Sequence, residues 1–203
     1  QFLQKATHDL DYINYLLGDN KPVRICAMKS KQIFKGDKQA GLKCKDCAEN
    51  KTCPESYYNT EPTFDIDNWY CCYAADTTIE DSGSAIVEYE NGMHIVYTQN
   101  FYARHDAAKR GARFIGYKGT LEFDWYKNSI TVYSHMSGDA TTYKLKVPTE
   151  EHGGGDIPLV ENFLDVMKGK DISHSPLADG ILSANICLMA KKSSEEHKFM
   201  DIK

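Results

Sequence analysis

The sequence predicts an α+β domain, mainly antiparallel β-sheet with helices at the N- and C-terminal ends packed on one face. Three observations predict it: helical spacing of apolar residues at the start of the chain, consecutive short strands parted by turn residues in its middle, and two helical patterns at its end. Helices segregated from an antiparallel run cover one face of a sheet and leave the other for a partner.

Leu10, Ile13, Leu16 and Leu17 recur at spacings of three and four, with Thr7 the expected cap and Gly18 the stop. After Pro22, the residues Val23, Ile25 and Ala27 alternate with Arg24, Cys26 and Met28, a period of two that reads as a strand with unequal faces. No period is sustained from Lys35 to Pro62, so this stretch reads as a long loop. Asn91-Gly92 between Ala85–Tyr89 and Met93–Phe101 is a strong hairpin signal. Arg113–Ile115, Thr120–Trp125, Ile130–Tyr133 and Tyr143–Val147 continue as a meander, separated by Gly116–Gly119, Asn128-Ser129 and Gly138-Asp139. Asp156, as cap, and Pro158 open a helix through Val160, Phe163, Leu164 and Met167, and a further helix runs from about Leu177 to Ser193.

A chain of 203 residues can bury a full core, and without repeats or linkers it reads as one domain over 1–203 with a Cys-rich loop at 35–72. Its 41% hydrophobic and 26% charged content is that of a soluble globular protein, and no apolar run approaches the roughly 20 residues of a membrane helix. A net charge of -5 with no basic block excludes nucleic acid as a partner. Gln1 lies inside what reads as structured sequence, which suggests a piece of a longer chain. The odd count of seven cysteines fits a reducing compartment, the cytoplasm, better than a disulfide framework.

Cys44-x-x-Cys47, followed by Cys53, places three thiols in one loop, a spacing that lets sulfurs share one ion. Cys71 or Cys72 supplies a fourth; Cys44, Cys47, Cys53 and Cys72 are the candidate set. Four thiolates leave no open coordination position, so such a zinc site is structural. Reduced, unliganded thiols and an iron–sulfur cluster are the alternatives. No G-x-G-x-x-G loop is present: Gly153, Gly154 and Gly155 are consecutive and precede Asp156, which would repel a pyrophosphate.

Three stretches carry a resemblance: Lys5-Ala6-Thr7-His8-Asp9-Leu10-Asp11; Gly116-Tyr117-Lys118-Gly119-Thr120-Leu121-Glu122; and His152-Gly153-Gly154-Gly155-Asp156 with the two helices after it. In this order and separation they resemble the C-terminal domain of the Gfo/Idh/MocA oxidoreductases, in which it follows a Rossmann domain. That resemblance implies NAD- or NADP-dependent oxidation or reduction of a sugar, cyclitol or related polyol. It further implies that the domain supplies the substrate floor and the sheet of a homo-oligomer, with a Rossmann half outside this sequence expected to hold most of the dinucleotide.

The family's catalytic histidine falls on His8, and an imidazole titrates where acid–base work at neutral pH needs it. Gln4 stands where many members carry an aspartate. Lys5 matches a subgroup with a Lys-x-Thr-His sequence and is a proton-relay or charge candidate, or a solvated lysine. Asp11, one turn after His8, either fixes its tautomer or is a plain surface carboxylate. Tyr102, Arg104 and His105 end the hairpin strand and, with His152, are substrate-contact candidates.

Without a dinucleotide loop the isolated chain is expected to be inactive. Two further readings stay open: an NAD-dependent glycosidase of the same family, and a non-catalytic, zinc-stabilised dimerisation or sugar-binding module.

Overall fold

The computed structural model describes residues 2–60, 65–148 and 151–202. A π-helical turn, Phe2–Ala6, runs into α1 (Thr7–Leu17), followed by β1 (Pro22–Ser30), β2 (Ser82–Tyr89), β3 (His94–Asn100), β4 (Gly111–Ile115), β5 (Gly119–Asp124), β6 (Ser129–Ser134), β7 (Ala140–Lys144), α2 (Asp156–Met167), α3 (Leu177–Glu196) and the short β8 (Met200–Asp201). The architecture is α+β, and its strands form two four-stranded antiparallel sheets, ordered β3-β2-β1-β8 and β4-β5-β6-β7. Two compact units result, one from residues 1–102 and 177–203 and the other from 103–176.

In the first unit α1 and α3 cover one face of the sheet. Ile25 and Ala27 from β1, with Ala85, Val87 and Tyr89 from β2, meet Phe2, Ala6, Leu10, Ile186, Cys187 and Ala190 in the core. The buried positions of α3, Ser183, Ile186, Cys187, Ala190, Ser193 and Ser194, fall at helical spacing and are mostly small, so its backbone lies close to the strands. Because β8 pairs only with Arg24 and Ile25, the edge of β1 beyond it needs another partner. Ser193 supplies it: its Oγ accepts the Ala27 N–H at 2.9 Å and donates to the Lys198 carbonyl at 2.6 Å.

Two expectations are corrected here. Thr7 does not cap α1, because the helix begins five residues earlier as the π-turn, and the Thr7 hydroxyl donates to the Leu3 carbonyl at 3.1 Å. Val23 does not share the buried face of Ile25 and Ala27: the register shifts between Pro22 and Arg24, which turns Pro22 inward and Val23 out. The hairpin forms as expected, with Asn91-Gly92 inside a three-residue loop in which Gly92 takes the left-handed conformation (φ 84).

The 35–72 loop contains no strand among its described residues; Pro62, its expected end, lies outside them. Short 3-10 turns and two isolated bridges, Lys38 to Ala74 and Lys43 to Tyr70, give it shape. Asp81, 1% exposed, ties its root to the sheet. One carboxylate oxygen accepts the backbone N–H groups of Gln32, Ile33 and Phe34 at 2.8, 2.6 and 3.0 Å.

In the second unit the meander is two-faced. Registered rows place Phe114, Leu121 and Val132, then Ala112, Phe123, Ile130 and Tyr143, on one side. On the other, Arg113 pairs with Glu122 at 3.1 Å and Thr131 bonds Thr142 at 3.0 Å. The helix α2 spans the expected residues, and its apolar side chains Ile157, Val160, Phe163 and Met167 are exposed.

Asp81→Ala would take the carboxylate from three backbone N–H donors, that of Phe34 buried and those of Gln32 and Ile33 partly so. The expected cost is about 3 kcal/mol of stability, read by urea denaturation of the purified chain.

Candidate functional site

Two features concentrate chemistry in the first unit: the polar side of the front helix and the cysteine loop. Phe2, Ala6, Leu10 and Ile13 anchor the helix, and the same periodicity turns Gln4, Lys5 and His8 out to solvent. The π-helical turn that precedes α1 is a local irregularity of the kind found at functional sites. Gly83 of β2 makes the docking possible, since a Cβ there would lie 2.9 Å from the Phe2 ring.

Three polar bonds fix the angular position of α1. The Tyr97 hydroxyl donates to Asp9 at 3.0 Å, the Ser183 hydroxyl to Asp11 at 2.9 Å, and the Tyr89 hydroxyl to the Asn14 side chain at 2.8 Å. Burial, and then the Asp9 carboxylate, push the Tyr97 phenol far above its ordinary pKa, while burial alone raises Tyr89 to about 12. Both therefore stay protonated donors at neutral pH. Asp9 and Tyr97 were missed by the sequence reading. The clue was an acidic residue beside His8, but only the strand register shows that it points at a buried phenol. Asp11 is turned toward α3 by Ser183.

Tyr102 closes the first unit just after β3 and is 38% exposed. Arg104, His105 and His152 belong to the second unit and are exposed. His105 (φ 52) begins a 3-10 turn in the left-handed region, and His152 shares that φ of 52. Such a conformation is uncommon outside glycine. The ring Nδ1 of His152 lies 3.0 Å from each carboxylate oxygen of Asp156. That corrects the expected capping role of Asp156: it is the first residue of α2, Gly155 occupies the cap without a side-chain bond, and the carboxylate meets the imidazole.

Five cysteines, Cys44, Cys47, Cys53, Cys71 and Cys72, line one small cavity of about 20 Å³. An antiparallel bridge brings the two halves of the loop together: Cys44 N–H donates to the Trp69 carbonyl at 2.8 Å, and Cys71 N–H to the Leu42 carbonyl at 2.9 Å. The buried Cys44 sulfur accepts the Tyr57 N–H at 3.2 Å and lies 3.1 Å from the Ser56 hydroxyl. Burial, and then Glu55, raise the Cys72 thiol to about 12, and burial also raises Cys71. Among the described residues no three His, Cys, Asp or Glu side chains already form a ligand set, so the thiols ring the cavity without converging. Cys26 and the buried Cys187 stand apart from this group. No helix among the described residues is long and apolar enough to cross a membrane.

A helix-covered antiparallel sheet with an exposed imidazole on its front helix defines the first unit of an α+β domain. The chain belongs to the Gfo/Idh/MocA oxidoreductases: the model of the oxidoreductase family's C-terminal alpha/beta domain matches residues 1–202. Solved structures share the fold. An oxidoreductase domain protein from Kribbella flavida matches with a TM-score of 0.68 at 13% identity over 98% of this chain and 50% of its own. A levoglucosan dehydrogenase in complex with NADH and levoglucosan gives 0.66 at 14%, over 98% and 49%. The UDP-N-acetylglucosamine 3-dehydrogenase from Acidithiobacillus ferrooxidans gives 0.60 at 14%, over 94% and 45%. The chain thus spans about half the length of these proteins. No curated protein is similar enough in sequence to count as a relative.

Gly83→Ala would push the Phe2 ring off its seat. A loss of about 1–3 kcal/mol is expected from overpacking, and Phe2→Leu in the same chain should restore part of it, a coupling that thermal melts of the two single and the double variants would measure.

Proposed function

We propose that this chain is the substrate side of an NAD- or NADP-dependent oxidoreductase acting on a sugar, cyclitol or related polyol, with His8 as its acid–base residue. Membership of the family supports the reaction class, and the half-length match supports a nucleotide-binding half outside this sequence. The observation that carries the reading is the front helix: its apolar side is locked to the sheet, and its exposed side presents Lys5 and His8 together.

This chain has no fingerprint loop for a dinucleotide, because two of its three consecutive glycines lie within a short 3-10 turn rather than after a strand, and the third leads into Asp156. A nicotinamide held by such a second half would supply the hydride chemistry. What falls to this chain is the proton. An alcohol carbon loses hydride only as its oxygen loses H⁺, and the His8 imidazole takes that proton in oxidation or returns it in reduction. Lys5 places a positive charge beside the developing alkoxide, which lowers the cost of deprotonation. Asp11, oriented by Ser183, is the carboxylate we assign to steadying the imidazole. Tyr102, Arg104, His105 and His152 are assigned to substrate hydroxyls, as exposed donors at strand ends and turns.

We further propose that the outer face of the first sheet pairs two copies of the protein. Across β1, β2 and β3 the register aligns Cys26, Ile86 and Val96 in a row on the uncovered face, with Met28 beside it. Val96 is 69% exposed and Met28 74%, a cost that pairing of identical sheets relieves.

In the full-length protein, His8→Ala is expected to lower kcat on a polyol substrate by about 10²-fold or more, followed through reduced nicotinamide absorbance. Near-normal turnover with bound cofactor intact sinks the acid–base assignment. Val96→Asp should leave thermal stability within about 0.5 kcal/mol, as exposed substitutions do, while light scattering reports a smaller species. An unchanged mass rules out this sheet face as the interface.

A further inference from the structure

We propose that the cavity in the 35–72 loop is a structural zinc site, in which the thiolates of Cys44, Cys47 and Cys53 are joined by one thiolate of the adjacent pair Cys71 and Cys72. This goes beyond the redox reading and does not depend on it. The motif alone offered three thiols and a guess at a fourth. Folding adds that thiols separated by nearly thirty positions line the same small cavity, and that backbone bonds from Cys44 to Trp69 and from Cys71 to Leu42 hold the two halves in place.

Its volume of about 20 Å³ suits a single small occupant. A second copy of an apolar side chain would not enter, and the lining sulfurs are soft donors of the type zinc takes at about 2.3 Å. Cysteine has one rotatable side-chain bond with three staggered wells, so a ring of thiols around such a cavity is drawn onto an ion by rotamer change. Each bound thiol gives its proton to solvent, and the ion replaces those protons as the partner of the sulfur.

The surroundings fit a buried thiolate centre. Cys44, the deepest of the set, already receives the Tyr57 N–H and a Ser56 contact of the kind that supports ligating sulfur. Trp69, which lines the cavity, packs edge-on against the Tyr57 ring, 5.8 Å between centroids. Lys38, whose ammonium pairs with Glu49 at 2.9 Å, also faces Cys47 and Cys71 and offsets surplus negative charge of a tetrathiolate.

The loop needs such a centre. Between Phe34 and Ala74 the buried residues are only Cys44 and Ser56 among those described, too little apolar area to hold some forty residues without regular structure. A four-thiolate ion closes the loop and binds the folded form alone, so its binding energy becomes folding energy. With all four positions filled by protein, the ion takes no part in substrate chemistry.

The test is metal analysis of the full-length protein purified under reducing conditions. About one zinc per chain is expected, falling below about a tenth of that in Cys44→Ser, in Cys53→Ser and in the double variant Cys71→Ser with Cys72→Ser. At least one of the two single variants of that pair should keep full zinc. Where a serine variant is insoluble, an organomercurial titration of the wild-type protein with a zinc-sensitive dye reads the same site, releasing the ion as about four thiols react. Zinc-free protein after growth in added zinc, bound iron with absorbance near that of an iron–sulfur cluster, zinc kept by the double variant, or zinc lost from both single variants would each overturn the proposal.

Discussion

The packing of α3 onto β1 is the contact on which the rest of the first unit depends. It works because the buried stripe of α3 is built from Ser183, Cys187, Ala190 and Ser193, with Ile186 the one bulky member, so the helix axis comes close enough for Ser193 to bond both Ala27 and Lys198. That closeness leaves room on the same face for a second helix, and α1 fills it, its Leu10 and Ile13 completing the core. Once α1 is seated, the 3.6-residue period decides which side chains reach solvent. The exposure of Lys5 and His8 is thus a consequence of how Ala6 and Leu10 are buried.

Polar bonds add direction to this apolar packing. Tyr97, Ser183 and Tyr89 each donate to a side chain of α1, and the buried phenols cannot ionise near neutral pH, so these bonds hold through the range in which an imidazole titrates. Together they keep the helix from rolling on the sheet. The seat of Phe2 over Gly83 serves the same end at the other side of His8, fixing the turn before the helix.

The loop between β1 and β2 follows a different rule. It has almost no apolar interior, and Asp81 anchors its beginning through three backbone donors while the Lys38 and Lys43 bridges pin its middle. Five sulfurs inside that frame are hard to explain by packing alone, because Val or Ala would fill the space without inviting oxidation. The second unit shows a third pattern, a meander sorted into an apolar and a polar face, with an amphipathic helix whose apolar side chains remain exposed in this chain.

Periodicity and turn chemistry sufficed to read the α+β class, nearly every strand of the meander, the Asn91-Gly92 hairpin and all three helices, because these depend on neighbours a few residues apart. The start of the front helix and the phase of Val23 were not legible: a π-turn and a strand irregularity are settled by what Phe2 and Pro22 bury against, not by local preference. Nor could the sequence divide the strands between two sheets, since pairing is a property of register and not of any single strand. For the site, local sequence marked His8, Lys5 and the Cys44-x-x-Cys47 spacing. Only tertiary structure sent Asp9 to Tyr97 and Asp11 to Ser183 and brought Cys71 and Cys72 to Cys44, because each of those contacts is made by side chains whose approach is fixed by long-range packing.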